Sequence, residues 1–282
     1  MNLKTVFRPT RKNTAVLAAA TGVAAITLTA TAPANAAKAT HHPVKNKPTV
    51  VLVHGAFVDA SSWNPVIKRL QHDGFPVVAA ANPLRGLAND SDYLRSLLDS
   101  IKGPIVLAGH SYGGSVISQA AAGDPDVKAL VYIAAFAPDK GESVTELGEK
   151  FPGAELGSAL NAVPFPLPGG GTGTDLYVKA DKFHSVFAND VPKPLIALAA
   201  AAQRPVAASV FGDESTEAAW KTIPSWNLIT TQDKAIVPAE QRFMAKRAHA
   251  HTVEVKSSHA VTLSHPGAVT RLIEQAARTT VR

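Results

Sequence analysis

Ile105-Val106-Leu107-Ala108-Gly109-His110-Ser111-Tyr112-Gly113-Gly114 is the stretch whose reading decides the fold. Ile105 to Ala108 reads as a buried strand, and Gly113 to Ala122 as a helix, so a single Ser stands on the turn between them. Gly109-His110-Ser111-Tyr112-Gly113 fits G-x-S-x-G. A nucleophilic Ser on such a turn needs a strained backbone, with strand and helix packed closely on either side. Small residues two before and two after the Ser permit that approach. Alone, the pentapeptide occurs by chance; strand before it and helix after it make it specific. The turn also sets Ser111 at a helix N-terminus, where backbone N–H groups stabilise negative charge.

Working outward, the same rhythm repeats. Val50 to Val53 is a strand running into His54-Gly55, Ser62 to His72 a helix, Pro76 to Ala80 a strand and Ser91 to Ile101 a helix. Leu130 to Ala135 is a fourth strand. After a break, Trp226 to Thr230 (strand), Ala239 to Arg247 (helix), Thr252 to Lys256 (strand) and Pro266 to Arg278 (helix) follow. Such alternation implies an α/β fold, a parallel sheet covered by helices on both faces. The break, about residues 139–222, contains Pro164, Pro166, Pro168 and Gly169-Gly170-Gly171, with a helix from Pro194 to Gln203. An insertion this long, following a strand expected to end near Phe136, predicts a cap over the sheet edge where open α/β folds bind ligands.

A Ser hydroxyl needs a base, and the base an orienting carboxylate. His259 follows the last strand and Asp233 the one before it, so both fall at the edge that carries Ser111. Asp139, after the fourth strand, stays an alternative for the acid. His265, before Pro266, reads as capping or exposed, His249 and His251 as solvated, and His110 as a packed neighbour of the turn. In His54-Gly55-Ala56-Phe57 the glycine lets the backbone turn, so that the amides of Ala56 and Tyr112 form an oxyanion hole. Trp63 reads as core, while Phe57 and Tyr112 read as lining a substrate pocket.

These residues together, with Val51-Leu52-Val53 ahead of His54, Ser258-His259-Ala260, and the phrases Phe183-His184-Ser185-Val186-Phe187 and Gln203-Arg204-Pro205, resemble the α/β-hydrolase superfamily. More closely, residues 48–278 are similar to compact bacterial esterases related to the plant methylesterase and hydroxynitrile lyase group. The resemblance implies an eight-stranded core, a small cap and a serine-esterase mechanism with Ser111, Asp233 and His259, without metal or organic cofactor. The expected partner is a small-molecule ester, with no nucleic acid. The alternatives are a cofactor-free perhydrolase, or a hydrolase-fold ligand-binding or receptor protein.

Composition limits the field further. The 282 residues include 28 Lys plus Arg, 22 Asp plus Glu and no Cys, which excludes disulfides, thiolate metal sites and a Cys nucleophile. Lys4, Arg8, Arg11 and Lys12 precede an Ala-rich apolar run and Ala34-Asn35-Ala36, a pattern that predicts a signal peptide over residues 1–36 and a secreted protein. The apolar run is too short and Thr-rich for a membrane span. Removing its four positive and no negative charges leaves 24 against 22, so the net charge falls from +6 to +2 and no basic stripe remains for nucleic acid. A polar leader over residues 37–47 precedes the hydrolase-like domain at 48–282, and His41 and His42 in it read as solvated.

Overall fold

The structure of the protein, a computed structural model, describes residues 47–279. The expected signal peptide, and all of the leader except Lys47, lie outside those residues. The first half consists of β1 (Thr49–Val53), α1 (Asn64–His72), β2 (Val77–Ala80), α2 (Leu87–Asp99), β3 (Ile105–His110), α3 (Gly113–Ala120) and β4 (Val127–Ile133). Strands β1 to β4 pair in parallel, each linked to the next by a helix. Successive side chains point to opposite faces, and both faces are covered. Val50 and Leu52 pack with Val106, Ala108 and Val131 on one side; Val51 and Val53 pack with Leu107 and Leu130 on the other. That two-sided burial is why the strands are continuous apolar runs. Trp63, Val66 and Leu70, at and within α1, close the first face. Leu94 and Leu98 of α2 and Val116 and Ile117 of α3 close the second.

β4 ends at Ile133, short of the expected end near Phe136, because Ala134 takes a φ of 44° and turns the chain out of the sheet. The insertion then builds α4 (Val144–Lys150), β5 (Leu160–Pro166), β6 (Thr172–Val178), α5 (Ala180–Lys182), α6 (Lys193–Ala201) and β7 (Val206–Ala207). Its Pro- and Gly-rich run is a β-hairpin rather than an interruption. β5, β6 and β7 form an antiparallel sheet with β5 at the edge, where Pro164 and Pro166 sacrifice no ladder bond on the open side.

The chain returns as β8 (Ser225–Thr230), α7 (Pro238–Arg247), β9 (His251–Val255), α8 (Val261–Ser264) and α9 (Pro266–Thr279). The central sheet runs β2-β1-β3-β4-β8-β9, entirely parallel. It has six strands among the described residues, which corrects the eight implied by resemblance. Among the described residues outside the insertion, the sequence pattern offers six strand-like runs, and each becomes one strand. Strand order reverses between β1 and β3, so the crevice at the carboxyl ends of these two strands is where an open α/β sheet receives a ligand. Ser111 stands there.

Candidate active site

Ser111 lies between β3 and α3 with a φ of 53°, a left-handed conformation that costs a non-glycine residue on the order of 1 kcal/mol or more. The packing around it explains the glycines. A Cβ on Gly109 would sit 2.5 Å from the Gly113 carbonyl oxygen, and one on Gly113 would sit 2.5 Å from the Val53 oxygen. Neither position has room for a side chain. Tyr112 is buried, and its hydroxyl donates to Asp90 Oδ2 at 2.9 Å, which fixes the residue after the serine.

Asp233, in the loop after β8, is buried and fully engaged. Its Oδ2 pairs with His259 Nδ1 at 2.8 Å and accepts from Thr230 Oγ1 at 2.7 Å and Gln241 Nε2 at 3.0 Å. Its Oδ1 accepts the amides of Ala235 and Ile236 at 2.8 and 2.9 Å. Burial alone would raise its pKa. The attraction of His259 and these hydrogen bonds outweigh that, and the carboxyl is held below its ordinary value. Asp139 is elsewhere: its carboxylate pairs with Lys221, so the alternative acid is not beside the histidine.

His259 is wholly buried after β9, and with Nδ1 committed to Asp233 its Nε2 has no hydrogen-bond partner among the described residues. Ser111 Oγ makes no hydrogen bond among the described residues either. The histidine loop and the serine turn are nonetheless joined. His110 Nε2 donates to the His259 carbonyl at 2.9 Å, and the two rings lie 4.8 Å apart. Burial, then the proximity of His259, drives the His110 pKa down to about 3. His110 is thus a neutral packed neighbour. His265 bonds Ser264 instead, and His249 and His251 are exposed, His251 stacking on Trp226.

Ala56 follows β1 and is buried; neither its amide nor that of Tyr112 donates a hydrogen bond within the described residues. The loop is held by Asn82 Nδ2, which donates to the His54 carbonyl at 3.0 Å. Ala56, Ser111 and Tyr112 border a cavity of about 270 Å³. Its wall includes Phe57, Phe136, Leu156, Leu160, Phe211 and Ile236, so Phe57 and Tyr112 both border it. Phe57 stacks on Phe211 with centroids 6.4 Å apart. Trp63 lies in the core, as expected.

The profile of the alpha/beta hydrolase family matches residues 50–272. The chain belongs to this family. It is 27% identical over 254 residues to an alpha/beta hydrolase of Aspergillus novofumigatus, covering 82% of this chain and 97% of that one. Among solved structures it is similar to polyneuridine aldehyde esterase, with a TM-score of 0.71, 23% identity and coverage of 81% of this chain and 98% of that one. A methylesterase from Arabidopsis superposes with a TM-score of 0.68 at 18% identity, covering 82% and 99%. These likenesses place the chain beside the plant methylesterase group in fold.

Four residues of the site escaped the sequence reading. Gln241 of α7 bonds both Asp233 and Thr230, and a buried amide eight positions after the acid was its only sequence signal. Phe187, from the insertion, packs edge-on against the His259 ring at 4.8 Å. Asp190, also from the insertion, accepts hydrogen bonds from the Ser257 and Ser258 hydroxyls and the Ser258 amide. Glu240 borders the cavity itself.

Proposed function

We propose that the protein is a secreted serine hydrolase that cleaves small or medium carboxylic esters through an acyl-enzyme on Ser111. The observation that carries this reading is the buried Asp233–His259 pair, joined through His110 to a strained Ser111 that opens onto an apolar cavity. In the proposed reaction His259 Nε2 takes the Ser111 proton as Oγ attacks the ester carbonyl. The oxyanion develops toward the amides of Ala56 and Tyr112, which have no competing partner. The C–O bond then breaks as His259 returns its proton to the leaving alcohol. Water repeats the sequence, giving its proton to His259, and releases the acid and free Ser111. Asp233 holds the imidazole tautomer and stabilises its charged form. A cavity of about 270 Å³ suits a compact acyl or alcohol group.

A fluorophosphonate probe is expected to label Ser111 alone, and p-nitrophenyl esters of short acyl chains to turn over. Labelling at another residue, or no turnover at any chain length, overturns the reading. The export part rests on Lys4 to Ala36, and N-terminal sequencing of secreted protein is expected to begin at Ala37; an intact Met1 on extracellular material contradicts it.

A further inference from the structure

Glu240, in the first turn of α7, is 1% exposed and borders the same cavity as Ser111. Among the described residues its carboxyl group has no hydrogen-bond or ion-pair partner, and its Oε1 is fully enclosed without one. A buried polar group left unpaired costs about 1–3 kcal/mol, so an unpaired carboxyl on a cavity wall has to be offset by something it does there. The helix N-terminus does not provide that offset, because no backbone amide of the turn donates to it. Nor does the acid–base pair need it: Asp233 is already satisfied by five partners, His259, Thr230, Gln241, Ala235 and Ile236. The rest of the cavity wall is largely hydrocarbon, with Thr145 and the Ser111 hydroxyl as its other side-chain hydroxyls and the Tyr112 hydroxyl turned away to Asp90.

We propose that Glu240 determines substrate choice: its carboxylic acid group hydrogen-bonds a neutral hydroxyl or carbonyl oxygen on the part of the ester that fills the cavity, so that esters bearing such an oxygen are preferred over plain hydrocarbon ones. This rests on the esterase reading above and narrows its substrate class. Burial, reinforced by the negative charge of Asp233, pushes the Glu240 pKa up to about 8, so near neutral pH the group is mostly the acid, able both to donate and to accept. An ammonium group is the poorer match. It would bring three donors into a wall that offers little else to receive them.

Matched ester pairs test this. Methyl levulinate against methyl valerate places the extra oxygen on the acyl side, and hydroxybutyl acetate against pentyl acetate places it on the alcohol side. In at least one pair the oxygenated ester is expected to be favoured about tenfold or more in kcat/KM, chiefly through KM. Glu240→Leu is expected to abolish that preference, while Glu240→Gln, which keeps a neutral donor, retains preference for the carbonyl compound. If Glu240→Leu does not fold by circular dichroism, Glu240→Met replaces it. Equal turnover within both pairs, or a preference that survives in the leucine variant, overturns the inference and leaves the esterase reading standing. A preference for the ammonium-bearing methyl aminobutyrate that disappears in Glu240→Gln also overturns it. If no ester is cleaved at all, the esterase reading falls, and binding decides separately. Tighter binding of methyl levulinate than of methyl valerate by Ser111→Ala, lost in Ser111→Ala with Glu240→Leu, upholds the role of Glu240; equal binding removes it.

Discussion

Asp233 spends its hydrogen-bonding capacity on the tautomer and position of one histidine, and that is why a change of a single atom there should be costly. Asn in its place offers an amide donor where His259 Nδ1–H needs an acceptor, and the imidazole is expected to turn or change tautomer. For Asp233→Asn kcat should fall about 10⁴-fold with secondary structure intact. Asp139→Asn should stay within about threefold of wild type, because Asp139 serves a half-exposed pair with Lys221, of a kind worth about 1 kcal/mol or less. The opposite pattern would move the acid to Asp139. Both aspartates stood at the end of an apolar run in the sequence, so spacing alone did not separate them; the hydrogen bonds did. The proposed choice of esterase over hydroxynitrile lyase also rests on single residues. Lyases of the related group carry Lys after the catalytic His and Thr after the first-strand His, where this chain has Ala260 and Gly55. A Cβ at Gly55 would lie 2.6 Å from Ser111 Cβ, so this backbone has no place for that threonine. Wild-type protein should release no cyanide from mandelonitrile or acetone cyanohydrin above background; Ser111-dependent release without ester turnover would reverse the assignment.

The insertion walls the Ser111 cavity with residues such as Leu156, Leu160 and Phe211, and it reaches the His259 loop through one further segment, residues 183–190. Phe187 lies against the imidazole of His259 and its carbonyl accepts the Ala260 amide at 3.1 Å. Asp190 ties down Ser257 and Ser258, the two residues before the histidine, and its Oδ2 lies 3.7 Å from His265 Nδ1. Burial opposes its ionisation, yet the serine hydrogen bonds prevail and hold its carboxyl below the ordinary value. Asp190→Ala leaves the Ser258 hydroxyl proton and the Ser258 amide without an acceptor, while the Ser257 hydroxyl keeps the Ser258 carbonyl and the Ser264 hydroxyl, a loss of about 1–3 kcal/mol. In a domain of this size Tm should drop by about 2–4 °C for each kcal/mol. Because the freed loop carries His259, kcat should fall about tenfold while Ser111 still accepts a fluorophosphonate. Unchanged kcat with unchanged hydrogen-exchange protection at Ser258 to Ala260 would show that the segment does not hold the loop. None of this was legible in the sequence. The six strands of the central sheet were, because the inner ones are runs of largely β-branched and aliphatic residues buried on both faces and the edge strands β2 and β9 still carry two valines each between turn or helix signals. The hairpin of β5 and β6 was not, because Pro164, Pro166 and three consecutive glycines read as a loop until the strand's edge position is known.

Across the whole molecule, the price of the fold is two histidines buried without charge. Burial, only partly offset by the Gly55 carbonyl, lowers His54 to about 4, and burial next to His259 lowers His110 to about 3, from an ordinary 6.5. In the unfolded chain both take up a proton as pH falls below 6.5, whereas in the native state they do so only near 4 and 3. The unfolded state therefore binds more protons throughout that window. The stabilisation is complete above pH 6.5 and declines as pH falls, by about 1.4 kcal/mol per pH unit for each histidine. Glu142 adds a second stage. Burial would raise it, but its two hydrogen bonds from Arg247 and its contact with Lys150 bring it from 4.5 to about 2. Its contribution is present above 4.5 and is lost as pH falls from there toward 2. Glu240 acts in the opposite sense: raised from 4.5 to about 8, it binds its proton first in the native state and adds about 1.4 kcal/mol per pH unit as pH falls from 8 to 4.5, offsetting one of the two histidines. Stability should thus decline from pH 6.5 to 4.5 with the net slope of about one histidine, and more steeply just below 4.5, where Glu240 no longer opposes the loss and Glu142 joins it. Urea unfolding between pH 7.5 and 4 reads this directly. His54→Asn should lower stability at pH 7.5 yet flatten the slope between pH 6.5 and 4.5, because one of the two differential protonations is gone. A midpoint that is level from pH 6.5 to 4.5 in the wild type, or a variant slope equal to the wild-type slope, would mean that these imidazoles are not held neutral by the fold.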